Sequence, residues 1–213
     1  MFRKFTNAAD AMTIAPGMVM ISFSAIALGA AFGGYLPLIA LWMETLEVSF
    51  QQIGIVSGAS ALGIICSAYF APHLAQKYGY VVTINIGLII AAIMTVLFRY
   101  TENYAAWLAI RFVGGLGLGL PWVLTEAWLA NIVSDHGRTR VMAIYATAIS
   151  VGFAAGPGII WLFGFATPTP FYLIAAFLLI AALPIYTLRG HEPNAEFSSG
   201  GSPLLLIRRA PTV

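Results

Sequence analysis

Charge is what this sequence has least of. Only 8% of its 213 residues are Asp, Glu, Lys or Arg, where a water-soluble domain carries roughly 25%. So little polar surface cannot clothe a globule in water, which excludes an ordinary soluble fold. Cysteine is nearly missing too. Cys66 stands alone, so neither a disulfide framework nor a cysteine metal site is available. The histidines, His73, His136 and His191, are scattered, and no His/Cys/Asp/Glu group has metal-ligand spacing. No glycine loop has the setting of a phosphate cradle. The formal charge of +2 comes from basic residues in short, dispersed flanks, so no basic stripe marks a nucleic-acid partner. No cofactor, metal, catalytic group or nucleic acid is expected.

What is present is oil. Hydrophobic residues make up 60% of the chain, and the mean hydropathy is +0.89. A helix crossing a bilayer needs about 20 mostly apolar residues. Six such runs are predicted, over 18–43, 52–74, 80–98, 105–129, 139–165 and 170–188. Backbone groups in hydrocarbon must bond internally, which leaves helices or a closed barrel. Runs this long without strand-like alternation predict an all-α membrane protein of six transmembrane helices. Arg3 and Lys4 precede the first run as they would in a secretory signal. That run is too long for a signal's apolar core and five more follow, so it reads as a retained helix.

The basic residues set the orientation. With the N-terminus inside, Arg3, Lys4, Lys77, Arg138, Arg140, Arg189, Arg208 and Arg209 face the cytoplasm, Arg99 faces out, and Arg111 is intramembrane. The positive-inside rule therefore predicts both termini in the cytoplasm. The domains follow: a cytoplasmic N-terminus over 1–17, a six-helix bundle over 18–189, and a cytoplasmic linker over 190–213. The outer loops carry Glu44 and Glu47.

Small residues predict the packing, because helices in lipid associate by close backbone approach. Gly29 and Gly33 in the first span, Gly54 and Gly58 in the second (Ala59 and Gly63 on a neighbouring line), and Ala148, Gly152 and Gly156 in the fifth each form a ridge. Spans three and six carry bulky aliphatics on most faces and are expected to face lipid. "GGYLPLIALW" from Gly33 is similar to "GLGLPWVLTE" from Gly117, with Pro37 matching Pro121. The two stretches run in opposite directions, as in an inverted three-plus-three repeat.

Several motifs, in order and on the right sides, resemble the major facilitator superfamily (MFS). In "PHLAQKYG", Leu74, Ala75, Lys77 and Gly79 match the signature loop after span two; Pro72 replaces its first glycine, Gln76 its aspartate, and Tyr80 and Val81 its final basic pair. "RFVGG" resembles the span-four R-x-x-q-G through Arg111 and Gly115. "GFAAGPG" resembles an antiporter motif's G-x-x-x-G-P through Gly152, Gly156 and Pro157, without the flanking glycines. "RTRVMAIYATAISVG" is similar to the family's basic loop into span five, and "TEAWL" resembles a bacterial branch with Glu-x-Trp ending span four.

The resemblance covers essentially the whole chain. It implies an inner-membrane permease that moves a small-molecule substrate by alternating access between two six-helix bundles, with a proton as coupling ion and export as a possible direction. This chain would supply the N-terminal half. Its partners would be the lipid bilayer, the substrate, the proton, and either a missing C-terminal bundle or a second copy. The polar, Gly/Ser-rich tail "HEPNAEFSSGGSPLLLIRRAPTV" suits a linker to that bundle.

One stretch concentrates the candidate chemistry. At 3.6 residues per turn, Arg111, Gly115, Leu118, Trp122 and Glu126 share a stripe within about 80°, with Gly119 beside it. The resemblance implies that this face lines a central cavity. Pro121 predicts a kink. Arg111 lies about 9 Å outward of mid-span and Glu126 about 13 Å inward, so the two cannot pair. Two readings stand for each. Arg111 is a substrate or coupling charge, or an interhelical anchor. Glu126 couples protons, or pairs with Lys77, Arg138 or Arg140.

Two other classes compete with a carrier. "GASA" at 58–61 has a faint likeness to a serine intramembrane protease, but Ser60 then needs a histidine base within hydrogen-bond reach. A non-transporting scaffold or channel subunit is the other alternative. The topology makes a direct prediction: a membrane-impermeant amine reagent leaves Lys77 unlabelled in intact cells and modifies it in inside-out vesicles. Labelling from outside reverses the assignment.

Overall fold

The computed structural model describes residues 8–132, 135–190 and 192, with side chains over 18–129, 139–190 and at 192. Six helices follow one another: α1 (Ala8–Thr45), α2 (Phe50–Tyr78), α3 (Tyr80–Arg99), α4 (Tyr104–Ile132), α5 (Asp135–Phe163) and α6 (Thr169–Thr187). No strand occurs among the described residues. Each helix contains a stretch long and apolar enough to cross a membrane: Met18–Thr45, Phe50–Tyr78, Tyr80–Arg99, Tyr104–Leu129, Thr139–Phe163 and Thr169–Thr187. The predicted spans agree with these to within four residues at every end.

The links are short and chemically specific. Ser49 starts α2 with a capping box: its hydroxyl accepts from the Gln52 N–H, and the Gln52 side chain accepts from the Ser49 N–H. This satisfies two N-terminal donors that have no partner inside the helix. Between α2 and α3 stands one residue, Gly79, with φ +87° and ψ 159°. Only glycine adopts that backbone region at low cost. Its N–H closes α2 on the Ala75 carbonyl at 2.9 Å.

The packing has an approximate two-fold order. α1 lies against α5 and α6, α4 lies against α2 and α3, and α3 meets α6. Exchanging α1 with α4, α2 with α5 and α3 with α6 leaves this scheme unchanged, so the inverted three-plus-three half-bundle is realised. Two seams carry it, and both bring backbone against backbone. In the α1·α5 seam, a Cβ on Gly29 would overlap the Ile149 carbonyl oxygen, and one on Gly152 the Ile26 carbonyl oxygen. In the α4·α2 seam, a Cβ on Gly115 would overlap the Ser60 carbonyl oxygen, and one on Gly63 the Phe112 carbonyl oxygen.

Two packing expectations need correction. The Gly54/Gly58 ridge faces open space, with nothing within 4 Å of a Cβ at either position. α2 instead meets α4 through the neighbouring line Ser60, Gly63 and Ser67, all buried. Nor are α3 and α6 purely lipid-facing. α3 buries Leu88, Ala91, Ala92, Thr95 and Phe98 and exposes Ile86, Ile89, Ile93 and Leu97 on its other side. Bulky aliphatics all round a helix suit both a lipid face and a packed face, so composition could not separate them. The least covered helices are α2 and α5.

The prolines sit inside continuous helices. α4 runs unbroken from Tyr104 to Ile132 through Pro121, whose ring lies in the notch at Gly87: a Cβ there would be 2.9 Å from Pro121 Cδ. Pro37 is half-buried in α1 and Pro157 is exposed on α5, beside the buried Gly156.

The seams predict opposite outcomes for one substitution. Alanine gains about 1 kcal/mol over glycine in a helix interior, whereas overpacking a tight contact costs about 1–3 kcal/mol. Gly152→Ala meets backbone that cannot rotate aside, so it lowers the thermal midpoint of the detergent-solubilised 213-residue chain. Gly58→Ala leaves that midpoint unchanged or raises it.

Candidate substrate and coupling site

α4 holds both intramembrane charges, and the bundle treats them differently. Arg111 is only 1% exposed, among the largest fully buried side chains. Its guanidinium lies over the Tyr35 ring of α1, 4.7 Å from the ring centroid. Nε and Nη1 have no hydrogen-bond partner, and neither does the buried Tyr35 hydroxyl. No ion pair to Arg111 is found among the described residues. A cation–π contact freed of water contributes about 2 kcal/mol, against at least about 2.5–3.5 kcal/mol for an arginine at mid-bilayer and less nearer the surface. Tyr35 thus offsets most of the cost while two donors stay unsatisfied.

Glu126 lies toward the other end, half-buried. A side-chain hydrogen bond joins it to Trp122 one turn earlier. Trp122 meets Phe32 of α1 edge-on, with centroids 5.5 Å apart. Tyr145 of α5 is close enough to feel the Glu126 charge; it is buried, and its hydroxyl has no partner. Neither Lys77 nor Arg140, both exposed, pairs with Glu126 among the described residues. The Arg138 side chain lies outside the described residues.

The predicted stripe therefore divides. Arg111, Gly115, Leu118 and Gly119 are buried inside the bundle, while Trp122 and Glu126 reach its surface. Gly115 and Gly119 bring α4 against Ser60 and Ser67 of α2; within this bundle their open flank is used for helix contact. Sequence reasoning missed Tyr35, Phe32 and Tyr145. The one available signal was a tyrosine just after the Gly33–Gly34 pair in the repeated stretch, where a hydroxyl in an oily helix needs a reason.

The signature loop keeps its turn. Gly79 holds the left-handed position, Ala75 accepts the closing hydrogen bond, and Lys77 lies 5.1 Å from the Tyr78 ring centroid. Leu74 is half-buried and Ala75 fully so. A cleft of about 230 Å³ at the opposite end, lined by Leu46, Gln52, Glu102, Tyr104 and Trp107 among others, includes none of the candidate residues.

Among the described residues the protease likeness finds no histidine base for Ser60; the side chains of His136 and His191 lie outside them. Ser60 is buried against Gly115, and His73 turns Nδ1 to the Tyr69 carbonyl at 3.2 Å. The two lie 13 residues apart on one helix, about 20 Å along its axis. No group of three or more metal-ligating side chains occurs among the described residues.

An inverted-repeat bundle of six apolar helices, each long enough to cross a bilayer, defines a multi-pass integral membrane protein. The chain belongs to the Major Facilitator Superfamily, whose model matches residues 21–212. It is 25% identical over 185 residues to the Quinolone resistance protein NorA of Staphylococcus aureus (strain Mu50 / ATCC 700699), covering 85% of this chain and 47% of that protein. It is 26% identical over 152 residues to Multidrug resistance protein 2 of Bacillus subtilis (strain 168), covering 71% and 38%. The chain thus spans about half the length of the curated relatives it matches. The six spans and bacterial relatives place it in the bacterial cytoplasmic (inner) membrane as a multi-pass integral protein.

Proposed function

We propose that this chain is the N-terminal half of a proton-coupled carrier that exports a small solute by alternating access. The observation that carries this reading is Arg111, a buried cation with two unsatisfied donors and no counter-charge among the described residues. A bundle serving only as a scaffold gains nothing from that cost, whereas a carrier uses an intramembrane charge to bind solute or respond to a proton. Glu126, held by Trp122 near the inner end, is the proposed acidic partner in the coupling cycle, with both termini in the cytoplasm. Export is favoured by the resistance proteins among the relatives.

The second bundle would lie along α2 and α5. Their outer faces carry Ile55, Leu62, Ile65, Val151 and Phe153, and Gly54, Gly58 and Gly158 are open for close approach. A second copy of this chain is the alternative occupant.

Two experiments test the reading. In the full-length protein, Arg111→Ala drops solute flux driven by a pH gradient to background while membrane insertion is unchanged; normal flux refutes the role of Arg111. Residues 1–213 alone, reconstituted in liposomes, give no saturable flux; saturable flux shows that the half is sufficient.

A further inference from the structure

We propose that Glu192 is a latch: it caps the N-terminus of α3 from the chain just beyond the neighbouring α6 and fastens that chain to the α2–α3 turn. The first N–H groups of a helix have no acceptor within it, and the residue at the cap of α3 is Gly79, which has no side chain to supply one. Glu192 supplies it. Its Oε2 accepts the Tyr80 N–H at 2.6 Å, across 112 residues of sequence. A carboxylate there forms a charge-assisted bond and meets the positive end of the helix dipole.

Both strands of chain at this contact are shaped for it. After α6, the Leu188 and Arg189 N–H groups close on the Ile185 and Tyr186 carbonyls at 3.1 and 3.2 Å. Gly190 then takes φ +88°, a left-handed conformation that redirects the chain and costs glycine little. On the receiving side, a Cβ at Gly79 would stand 2.7 Å from Glu192 Oε2, so the same glycine that makes the turn leaves the seat for the carboxylate. Lys77, exposed beside the seat, lies against Tyr78 and leaves Glu192 to the backbone.

The consequence concerns the connection that follows. Without the contact, Glu192 is tied to the bundle only through the end of α6. With it, Glu192 is also fixed to the α2–α3 turn, so movement of that turn and tension on the chain at Glu192 act on each other. This does not rest on the carrier reading. Its test needs no flux, so either can fail without the other.

The test uses the 213-residue chain. Hydrogen exchange at the Tyr80 amide rises at least tenfold in Glu192→Ala, while the amides of Gly87–Ala92 keep their wild-type rates. Glu192→Gln, which keeps an acceptor oxygen but no charge, falls between. Unchanged Tyr80 exchange in both Glu192 variants overturns the latch.

Discussion

A carbonyl oxygen on one helix can press against the Cα of another only where no Cβ intervenes, and this bundle is organised around such places. Lipid tails surround apolar side chains as comfortably as other apolar side chains do, so burying oil in oil gains little. Closeness, and the dispersion it brings, has to do what water exclusion does in a soluble core. At the α1·α5 seam Gly29 and Gly33 face Gly152 and Gly156, and at the α4·α2 seam Gly115 and Gly119 face Ser60, Gly63 and Ser67. Between α3 and α4, a Cβ on Gly87 would stand 2.6 Å from the Gly117 carbonyl oxygen.

Aromatic contacts finish what the seams begin. At one end, Trp107 stacks on Phe98 and donates to the Thr101 carbonyl at 2.7 Å, and Trp42 meets Phe171 edge-on and lies under Arg99 at 3.9 Å. At the other end, Trp128 packs on Tyr80, and the Ser24 hydroxyl donates to the Ala181 carbonyl at 2.8 Å. Trp42, Trp107 and Trp128 are all buried, so these contacts pack the two ends of the bundle from within. Midway, polar partners are scarce, and there Arg111 rests on the face of Tyr35.

How much of this was legible from residues alone depended on whether a feature lives in run length or in rotation. The spans were legible because twenty apolar residues in a row admit almost no other structure. Arg111 was legible because a charge inside such a run is conspicuous by itself. The α2 seam was not. Gly54 and Gly58 have the spacing of a ridge, as do Gly63 and Ser67, and only the helix's rotation about its own axis decides which line meets α4. Tyr35 and Glu192 were hidden for another reason. Their partners come from other helices, and a tyrosine or a glutamate announces nothing about a neighbour 76 or 112 positions away.

The one-residue link at Gly79 has a mechanical meaning. Neighbouring Cα atoms across a trans peptide are 3.8 Å apart, so the facing ends of α2 and α3 cannot slide past one another by more than a few ångströms. The pair is free to change the angle between its arms but not their relative depth in the bilayer. It behaves as dividers joined at a rivet, with the rivet at the cytoplasmic side on the proposed orientation and the spread of the far tips as the only adjustable dimension.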